Sequence, residues 1–533
     1  MKSDTEVLIV GAGPTGLVLA LWLTRFGVRV RIIDKSSQPG ATSRALVVHA
    51  RTLEFYQQLG LAHTIVAKGI YFAAINLWVN GKLAGRIPFG DIGAGLSPFP
   101  FMLIFPQDEH ERVLVEELAR VGVHVERETE LVTFTETVDA TTTPGANYNT
   151  SASLPVTNET TGVRAQLRSN RDGESSCECQ YIAGCDGARS TVREQLHIGF
   201  PGGTYDGHFY VADIEGVGSV MNGEMHGTMD STDFLAFFPM KGVGHARLVG
   251  QVRNDGTGNT PRWDDVDKHL MNLVGANIQT VRWFSTYRVH HRVADNFREG
   301  RAFLLGDAAH IHSPVGGQGM NTGIGDAVNL AWKLAAVIKN RAPAHLLDSY
   351  EIDRIAFARR LVASTDRAFE FISSTGPIAK FARVHITARL LPVMLRLRGV
   401  RTLLFRTVSQ TALRYAHSPL SKGKAGRVRG GDRLPWVPSA NTGEPRDNFA
   451  ALASMQWQVH VYGVASDTLR GECTARAVAL FEFAFSNVKP NTGLKRNAAY
   501  VVRPDGYVGL AEPTGDAANV ARYLDCWIRA VDL

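Results

Sequence analysis

Cysteine is scarce in this sequence, and the few cysteines follow no regular spacing. The 533 residues include five, at Cys177, Cys179, Cys185, Cys473 and Cys526. Such a set excludes a disulfide framework and is typical of a reducing compartment, so we expect a cytoplasmic protein. Cys177 and Cys179 form a CxC pair, but no second pair completes a zinc site. We therefore interpret them as ordinary strand or loop residues.

Long hydrophobic runs and clustered charge are also lacking. The apolar run at residues 17–23 is too short to span a bilayer, and the polar residues 1–6 lead directly into a strand. We therefore expect neither a transmembrane segment nor a signal peptide. The net charge of +6 is dispersed without a recognition motif, which argues against nucleic acid as a partner. With 44% hydrophobic residues the chain can bury a large core, and we expect two or three domains.

The segment from Val7 to Asp34 has the pattern of a nucleotide-binding strand, turn and helix. Its apolar residues 7–10 predict a buried strand, after which Gly11, Gly13 and Gly16 open an apolar helix. The first glycine permits the turn, the second admits a pyrophosphate to the helix N-terminus, and the third lets helix and strand pack closely. Asp34 ends a second strand and is placed to accept hydrogen bonds from an adenosine ribose. The segment predicts a dinucleotide site, for either FAD or NAD.

A second glycine-rich segment, residues 301–334, predicts a loop that can hold a flat ring. Gly306 and Asp307 follow a strand, and the Asp307 carboxylate is placed to bond a ribityl hydroxyl, to cap a helix, or both. The residues of little bulk after it leave backbone open to an isoalloxazine ring; they are Pro314, Gly316, Gly317 and Gly319.

The helix that begins near Met320 and Asn321 points its N-terminal dipole at that ring. A positive dipole end there favours the negative charge of a reduced flavin. His310 and His312 have HxH spacing, but no further ligand completes a set with them, so we expect no metal.

The rest of the chain alternates between helical and strand patterns. Helices are predicted at Gln107–Val121, over much of Ala344–Tyr415, around Ala475–Phe485 and at the C-terminal end. Phe200–Val289 predicts an antiparallel sheet that would serve as a substrate platform.

Two stretches carry surface signals. Asp139–Gly162 predicts a solvated loop, and its sequons at Asn149 and Asn158 are interpreted as chance matches. Arg383–Arg406 alternates basic and apolar residues, which fits a membrane-surface helix but is more typical of a solvated or bridging helix whose arginines lie over apolar neighbours.

Three spaced fingerprints resemble the class A flavoprotein aromatic hydroxylases, over essentially the whole chain. They are GAGPTG at Gly11–Gly16, CDGARSTVR at Cys185–Arg193 and GDAAHIHSPVGGQGMNTGIGDA at Gly306–Ala327. SRALVVHARTLE at Ser43–Glu54 also matches, and RPDGYVGL from Arg503 is similar to the thioredoxin-like module of the phenol-hydroxylase and polyketide-tailoring branches.

The resemblance implies an α/β fold: a Rossmann-like FAD-binding domain, an inserted antiparallel-sheet substrate domain, a helical segment and a small C-terminal thioredoxin-like α/β domain. The FAD-binding domain would comprise residues 1–75, 106–195 and 299–420, the last part including the helical segment. The substrate domain would comprise 76–105 and 196–298, and the thioredoxin-like domain 430–533. That domain has no CxxC pair, so dithiol exchange is not expected.

The resemblance also implies FAD as cofactor, NADPH or NADH as reductant, O2 as oxidant and an aromatic substrate hydroxylated through a peroxyflavin intermediate. It adds three residues to the cofactor site: Arg44, Gln107 and Asp186, the last also affecting nicotinamide binding. A homodimer is compatible with it. We find no second nucleotide-binding motif for the nicotinamide.

The catalytic base is not identified by sequence. Phenol-hydroxylase relatives carry an aspartate where this chain has Leu46, which argues against simple phenol and favours acidic polyketide substrates. His49, Tyr210, His245 and Tyr287 are candidate pocket residues, each more readily explained as structural.

Two alternatives stay open. An enzyme of the same fold can perform epoxidation or Baeyer-Villiger insertion, because the fold does not select the reaction. A non-catalytic flavin-binding or dimerisation protein is the alternative of another class. Halogenation is disfavoured, because the WxWxIP signature is absent.

Overall fold

The computed structural model describes residues 5–40, 45–138, 160–205, 208–230, 233–252, 261–373, 393–395, 397–438 and 447–529. Arg44, Asn149 and Asn158 lie outside these residues, as do most of the predicted loop at 139–162 and residues 383–392 of the basic stretch.

The helices of the described residues, in chain order, are α1 (Pro14–Arg25), α2 (Ala50–Gln58), α3 (Ala62–Lys68), α4 (Gln107–Arg120), α5 (Thr191–Gln195), α6 (His269–Leu273), α7 (Gly319–Ile338), α8 (Asp348–Ser373), α9 (Arg398–Val408), α10 (Asp467–Ala475) and α11 (Ala517–Trp527).

The strands of the first half are β1 (Val7–Val10), β2 (Val30–Asp34), β3 (Val47–Val48), β4 (Ile70–Tyr71), β5 (Ala74–Val79), β6 (Lys82–Pro88), β7 (Leu103–Ile104), β8 (Val125–Arg127), β9 (Thr129–Val138), β10 (Thr160–Ser169), β11 (Gly173–Cys179), β12 (Tyr181–Gly184), β13 (Gly202–Thr204) and β14 (His208–Val217). Those of the second half are β15 (Met225–Met229), β16 (Phe234–Pro239), β17 (His245–Val252), β18 (Asn277–Tyr287), β19 (His290–Val293), β20 (Arg298–Glu299), β21 (Ala302–Leu304), β22 (His310–Ile311), β23 (Lys422–Ala425), β24 (Val428–Arg429), β25 (Gln458–Tyr462), β26 (Ala479–Phe483), β27 (Ala499–Val502) and β28 (Val508–Glu512).

A six-stranded sheet in the order β20-β21-β12-β1-β2-β8 forms the centre of the nucleotide-binding part. Strand β1 pairs in parallel with β2 and with β12, and β12 pairs in parallel with β21. Val7, Leu8 and Ile9 have no exposed surface, as expected for a parallel strand covered on both faces. Helices α1 and α7 pack against each other over this sheet, so the two glycine-rich segments meet although they are distant in sequence.

The predicted antiparallel platform is a seven-stranded sheet in the order β18-β14-β17-β16-β15-β5-β6. Its neighbouring strands are antiparallel except for β15 and β5, which pair in parallel; β5 comes from an earlier part of the chain. One face packs on α6, with Tyr210, Phe237 and Leu248 in its core. The alternation of side chains turns the other face toward the nucleotide-binding part.

The C-terminal part is a separate sheet in the order β24-β23-β28-β27-β25-β26. Strands β25 and β26 are parallel and joined by α10, whereas β27 and β28 form an antiparallel hairpin followed by α11.

The helix predicted around Ala475–Phe485 is wrong. Ser466 caps α10, which ends at Ala475, and Ala477 then adopts a positive φ of 53°. The chain continues as β26, where the rings of Phe481 and Phe483 contact His460 of β25. Tertiary pairing with β25 thus overrides the helical appearance of the segment.

Among the described helices, none combines the length and apolar character needed to cross a lipid bilayer.

Candidate active site

The turn after β1 is built for close approach of an anion. Gly11 has φ +103°, and a Cβ there would lie 2.3 Å from the carbonyl oxygen of Cys185. A Cβ on Gly13 would meet no atom within 4 Å, so the space before α1 is open. The first turn of α1 contains no acidic residue and Gly13 supplies no side-chain cap, which leaves its N–H groups to a ligand such as a phosphate.

Asp34 is fixed beside this turn. Its Oδ2 accepts a hydrogen bond from the Ala12 N–H at 2.7 Å, and its Oδ1 accepts one from the Ser36 N–H at 2.8 Å. The carboxylate is therefore held at the end of β2, where the sequence predicts the ribose contact.

The second glycine-rich segment reaches the first through small residues. A Cβ on Gly306 would lie 2.7 Å from Thr15 Oγ1, and one on Gly323 would lie 2.3 Å from the same atom. Asp307 follows in a 3-10 turn, Gly306–Ala308, with an exposed side chain. The structure thus brings Asp307 to the glycine turn at Gly13–Gly16.

The loop before α7 is held by buried side chains of an earlier segment. Gly316 and Gly317 have φ of +78° and +61°. The Asn321 side chain donates to the carbonyls of Val47 at 2.8 Å and Gly317 at 2.9 Å. Its Oδ1 accepts from the His49 N–H at 2.9 Å and from Thr52 Oγ at 2.8 Å. All hydrogen-bonding groups of the side chain are used in joining the loop to the segment that opens α2. The backbone N–H of Asn321 lies in the first turn of α7, where such groups are available to a ligand.

His49 supports the loop from behind as a neutral imidazole. It has no exposed surface, and its Nε2–H donates to the Gly316 carbonyl at 2.9 Å. Burial lowers the pKa of His49 to about 4, against the smaller effect of this hydrogen bond. The residue is structural rather than a proton donor at neutral pH.

Sequence reasoning missed a buried charge cluster that joins α7 to Gly306. Asp326 Oδ2 accepts from His310 Nε2 at 2.7 Å and from the Gly306 N–H at 3.0 Å, while Oδ1 accepts from Arg354 Nε at 2.5 Å. Burial opposes the charge, but Arg354 and His310 outweigh it, so the pKa of Asp326 is lowered. A signal was present: Asp326 and Lys333 interrupt an apolar helix, and such residues are almost never buried without partners.

Five other predicted site residues have different places in the structure. Asp186 follows β12, and its Oδ2 accepts from the Val192 N–H at 3.2 Å in the first turn of α5, whose N-cap is Ser190. Gln107 opens α4 and donates to Glu111 at 2.8 Å. Pro314 is exposed on the loop, and Gly319 and Met320, both half-buried, open α7.

An apolar cluster of packed side chains adjoins the loop and borders a cavity, and we call the cluster and this cavity together the chamber. A Cβ on Gly317 would lie 3.1 Å from Val47 Cβ, and Val47 belongs to this apolar cluster, which the seven-stranded sheet also contacts. Its buried members are Leu46, Val47, Ala50, Phe72, Ile87, Phe89, Ile92, Ile104, Leu395 and Phe405. Met225, Phe238 and Met240 of the seven-stranded sheet pack against it.

The cavity of the chamber has a volume of about 200 Å³ and lies between this cluster and the seven-stranded sheet. Ile70, Ile104 and Met240 line its apolar side, and His245 lies on its charged side, 3.1 Å from Glu215. Of the other candidate pocket residues, Tyr210 packs on the opposite face of the sheet against Trp263, and Tyr287 contacts Phe209.

Comparison with known proteins agrees with this geometry. The family described as "FAD binding domain" matches residues 4–150 and 138–365. The 6-methylpretetramide 4-monooxygenase of Streptomyces rimosus is 36% identical over 430 residues, 78% of this chain and 71% of that one. The rifampicin monooxygenase of Rhodococcus hoagii is 32% identical, over 77% and 79%. The crystal structure of CabE, an aromatic hydroxylase from angucycline biosynthesis, superposes with a TM-score of 0.76 at 28% identity, covering 98% and 99%.

Proposed function

The chain belongs to the FAD binding domain family and is an FAD-dependent monooxygenase, and from this premise we propose that it hydroxylates an aromatic polyketide with NADPH or NADH as reductant and O2 as the oxygen source. The observation that carries the proposal is the apolar chamber in direct contact with the loop at Gly316–Asn321.

The residues present fit FAD along the whole site. The open space at Gly13 and the uncapped start of α1 suit the pyrophosphate. Asp34 suits the adenosine ribose, and Asp307 suits the ribityl chain. The loop at Gly316 and Gly317, with α7 behind it, suits the ring. When bound there, FAD supplies the electron transfer and the oxygen activation. Arg44, Gln107 and Asp186 are further assignments that rest on the family resemblance.

The contribution of the chain is to orient the substrate and to exclude water. Leu46 and Val47 are apolar side chains of the chamber, and Val47 lies against Gly317 of the ring loop. A dry site limits wasteful loss of activated oxygen as hydrogen peroxide. Because Leu46 offers no base, the substrate phenol must be acidic enough to ionise with little help.

The chamber suits a large flat molecule. Gly227 and Ala236 are cross-strand partners on β15 and β16, on the same face as Met225 and Phe238. Two small residues side by side leave space on this face of the sheet, and the stacked rings of Phe72 and Phe89 belong to the same apolar cluster. Relatives named for tetracycline-type and rifampicin substrates support the same class.

The test is a panel of aromatic polyketides with the FAD-loaded enzyme. We expect at least one to stimulate NADPH oxidation and to yield a product heavier by one oxygen atom. NMR of that product distinguishes a new hydroxyl group from an epoxide or a lactone. Absence of stimulation and of product across phenols and polyketides would contradict the proposal and favour a binding protein.

A variant of the chamber sharpens this test. Ala236→Phe should fill the space beside Gly227 and abolish turnover of multi-ring substrates while FAD still binds. The control is Thr228→Val, a near-isosteric change on the opposite face of β15. Equal losses in both variants would show that the chamber does not hold the substrate.

We further propose the domain division 1–75, 106–195 and 299–420 for FAD, 76–105 and 196–298 for substrate, and a thioredoxin-like module at 430–533. What supports the module is the strand order β28-β27-β25-β26 with a parallel β25–α10–β26 unit and a terminal helix. Cys473 is buried and Cys526 exposed, so the two do not form a dithiol centre.

A further inference from the structure

Helix α2 carries buried charges that neither the cofactor site nor the chamber requires. Arg51, Glu54 and Arg433 are 3%, 3% and 9% exposed. Buried ion pairs are weak evidence for stability, since desolvation offsets their attraction, and their best-supported use is to fix one arrangement of the chain. We call Arg51, Glu54, Ser97 and Arg433 the Glu54 cluster.

The Glu54 cluster joins three parts of the molecule at one carboxylate. Glu54 Oε2 accepts from Arg51 NH1 and from Arg433 Nε, both at 2.8 Å, and Oε1 accepts from Ser97 Oγ at 2.6 Å and from Arg433 NH2. Arg433 lies at the entry to the C-terminal part and Ser97 in the loop after β6.

Ser97 connects this carboxylate to the wall of the chamber. Its neighbours Leu96 and Phe99 pack against the apolar cluster that lines the chamber. Arg433 NH2 also donates to the Leu96 carbonyl at 3.3 Å. The same arginine therefore holds both α2 and the 92–101 loop.

Arg51 connects the cluster to the ring loop. It lies in the first turn of α2, two residues after His49, whose ring and N–H hold Gly316 and Asn321. Its NH2 donates to the Asp505 carbonyl at 2.6 Å. Asp505 Oδ2 in turn accepts from Trp332 Nε1 of α7 at 3.2 Å. One turn of the C-terminal part therefore contacts both α2 and α7.

We propose that Glu54 is a positioning residue through which the C-terminal part sets the ring loop (Gly316–Asn321) and the chamber loop (92–101) relative to each other. The inference rests on the proposed function only in taking Gly316–Asn321 to hold the flavin ring. It makes the C-terminal part a component of the active site rather than an appended module.

Hydrogen exchange and FAD binding test this without any turnover. In Arg433→Gln and in Ser97→Ala, peptides covering 92–101 should exchange about tenfold faster or more, the range for one lost hydrogen bond to a buried charge. Arg433→Gln should also accelerate exchange at 316–321, broaden the flavin absorption band and raise the Kd for FAD. Arg433→Lys, which keeps the charge, should restore part of each effect.

The matched control is Arg476→Gln, which removes an ion pair with Asp525 inside the same C-terminal part, away from α2. It should leave both loops and the flavin spectrum unchanged. If Arg433→Gln and Ser97→Ala exchange like the wild type at both loops, the proposal is overturned. Should Arg433→Gln fail to fold, Ser97→Ala alone decides through the 92–101 peptides. None of these readouts needs a substrate, so a failed substrate screen leaves the result interpretable.

Discussion

The two ends of the cofactor site are constructed differently. The nucleotide end, at Gly11–Gly16, is made of backbone: a positive φ, an uncapped helix start and an open space at Gly13. The ring end, at Gly316–Asn321, is held by buried side chains: His49 and Thr52 bond the loop itself, and Arg354, paired with Asp326, bonds the carbonyl of Thr322 directly after it. A backbone site is defined by adjacent residues, whereas a site of side-chain supports exists only after distant segments pack.

The strongest way to break the nucleotide end is Gly11→Ala. The new Cβ would lie 2.3 Å from the Cys185 carbonyl oxygen at φ +103°, so we expect a loss of about 4 kcal/mol or more in unfolding free energy and no bound FAD. Thermal denaturation and flavin absorbance measure this. Gly13→Ala is the control: with no atom within 4 Å, it should fold normally and lose only FAD affinity. A stable, yellow Gly11→Ala protein would show that the turn is not tight.

The strongest way to break the ring end is Asp326→Asn. It leaves Arg354 and His310 buried without their carboxylate, and removing one partner of such a pair costs about 3–5 kcal/mol. Urea denaturation of the FAD-free and FAD-bound forms should show the loss in both. Glu117→Gln, in an exposed pair with Arg120, should change stability by less than about 0.5 kcal/mol. Equal effects would mean that the cluster contributes no more than a surface pair.

Asn321→Ala should have an intermediate effect. Four hydrogen bonds are lost, but the groups released include backbone atoms that water can reach once the loop loosens, so we expect about 1–3 kcal/mol. The flavin spectrum should change more than the melting temperature does. Asn491→Ala, an exposed change in the C-terminal part, serves as the control. A wild-type flavin spectrum in Asn321→Ala would show that these bonds do not set the ring position.

The same contrast explains how far the sequence could be read. Strand β1, helix α1, the end of β2 at Asp34, α4, α7 and the seven-stranded sheet follow from local periodicity and turn residues, and the structure confirms these elements. The segment 475–485 was misread because its pairing partner, β25, lies outside the local window. Asp326 could be flagged as a charge in an apolar helix, but Arg354 as its partner could not, since only packing brings α8 to α7.

The smallest expected effect is the pH dependence of the unfolding free energy that His49 contributes at the ring end. The folded pKa of His49, about 4, is below its ordinary value of 6.5. Between these two pH values His49 binds a proton in the unfolded chain but not in the folded protein. The free energy of unfolding therefore decreases as the pH drops below 6.5 and continues to decrease toward pH 4. Between about pH 7 and pH 5.5 this amounts to about 1 kcal/mol.

His49→Gln isolates the pH-dependent contribution of His49, because the glutamine amide can still donate to the Gly316 carbonyl but does not titrate. The difference in unfolding free energy between variant and wild type, followed across this pH range, should shift by about 1 kcal/mol in favour of the variant at the acid end. His110, whose pKa burial lowers to about 3, lies away from the ring loop against Tyr56. His110→Gln should therefore show a similar pH-dependent shift in stability with an unchanged flavin spectrum. If His49→Gln has the same pH slope as the wild type, His49 binds its proton as readily in the folded protein as in the unfolded chain, and the lowered pKa assigned to it at the ring end is wrong.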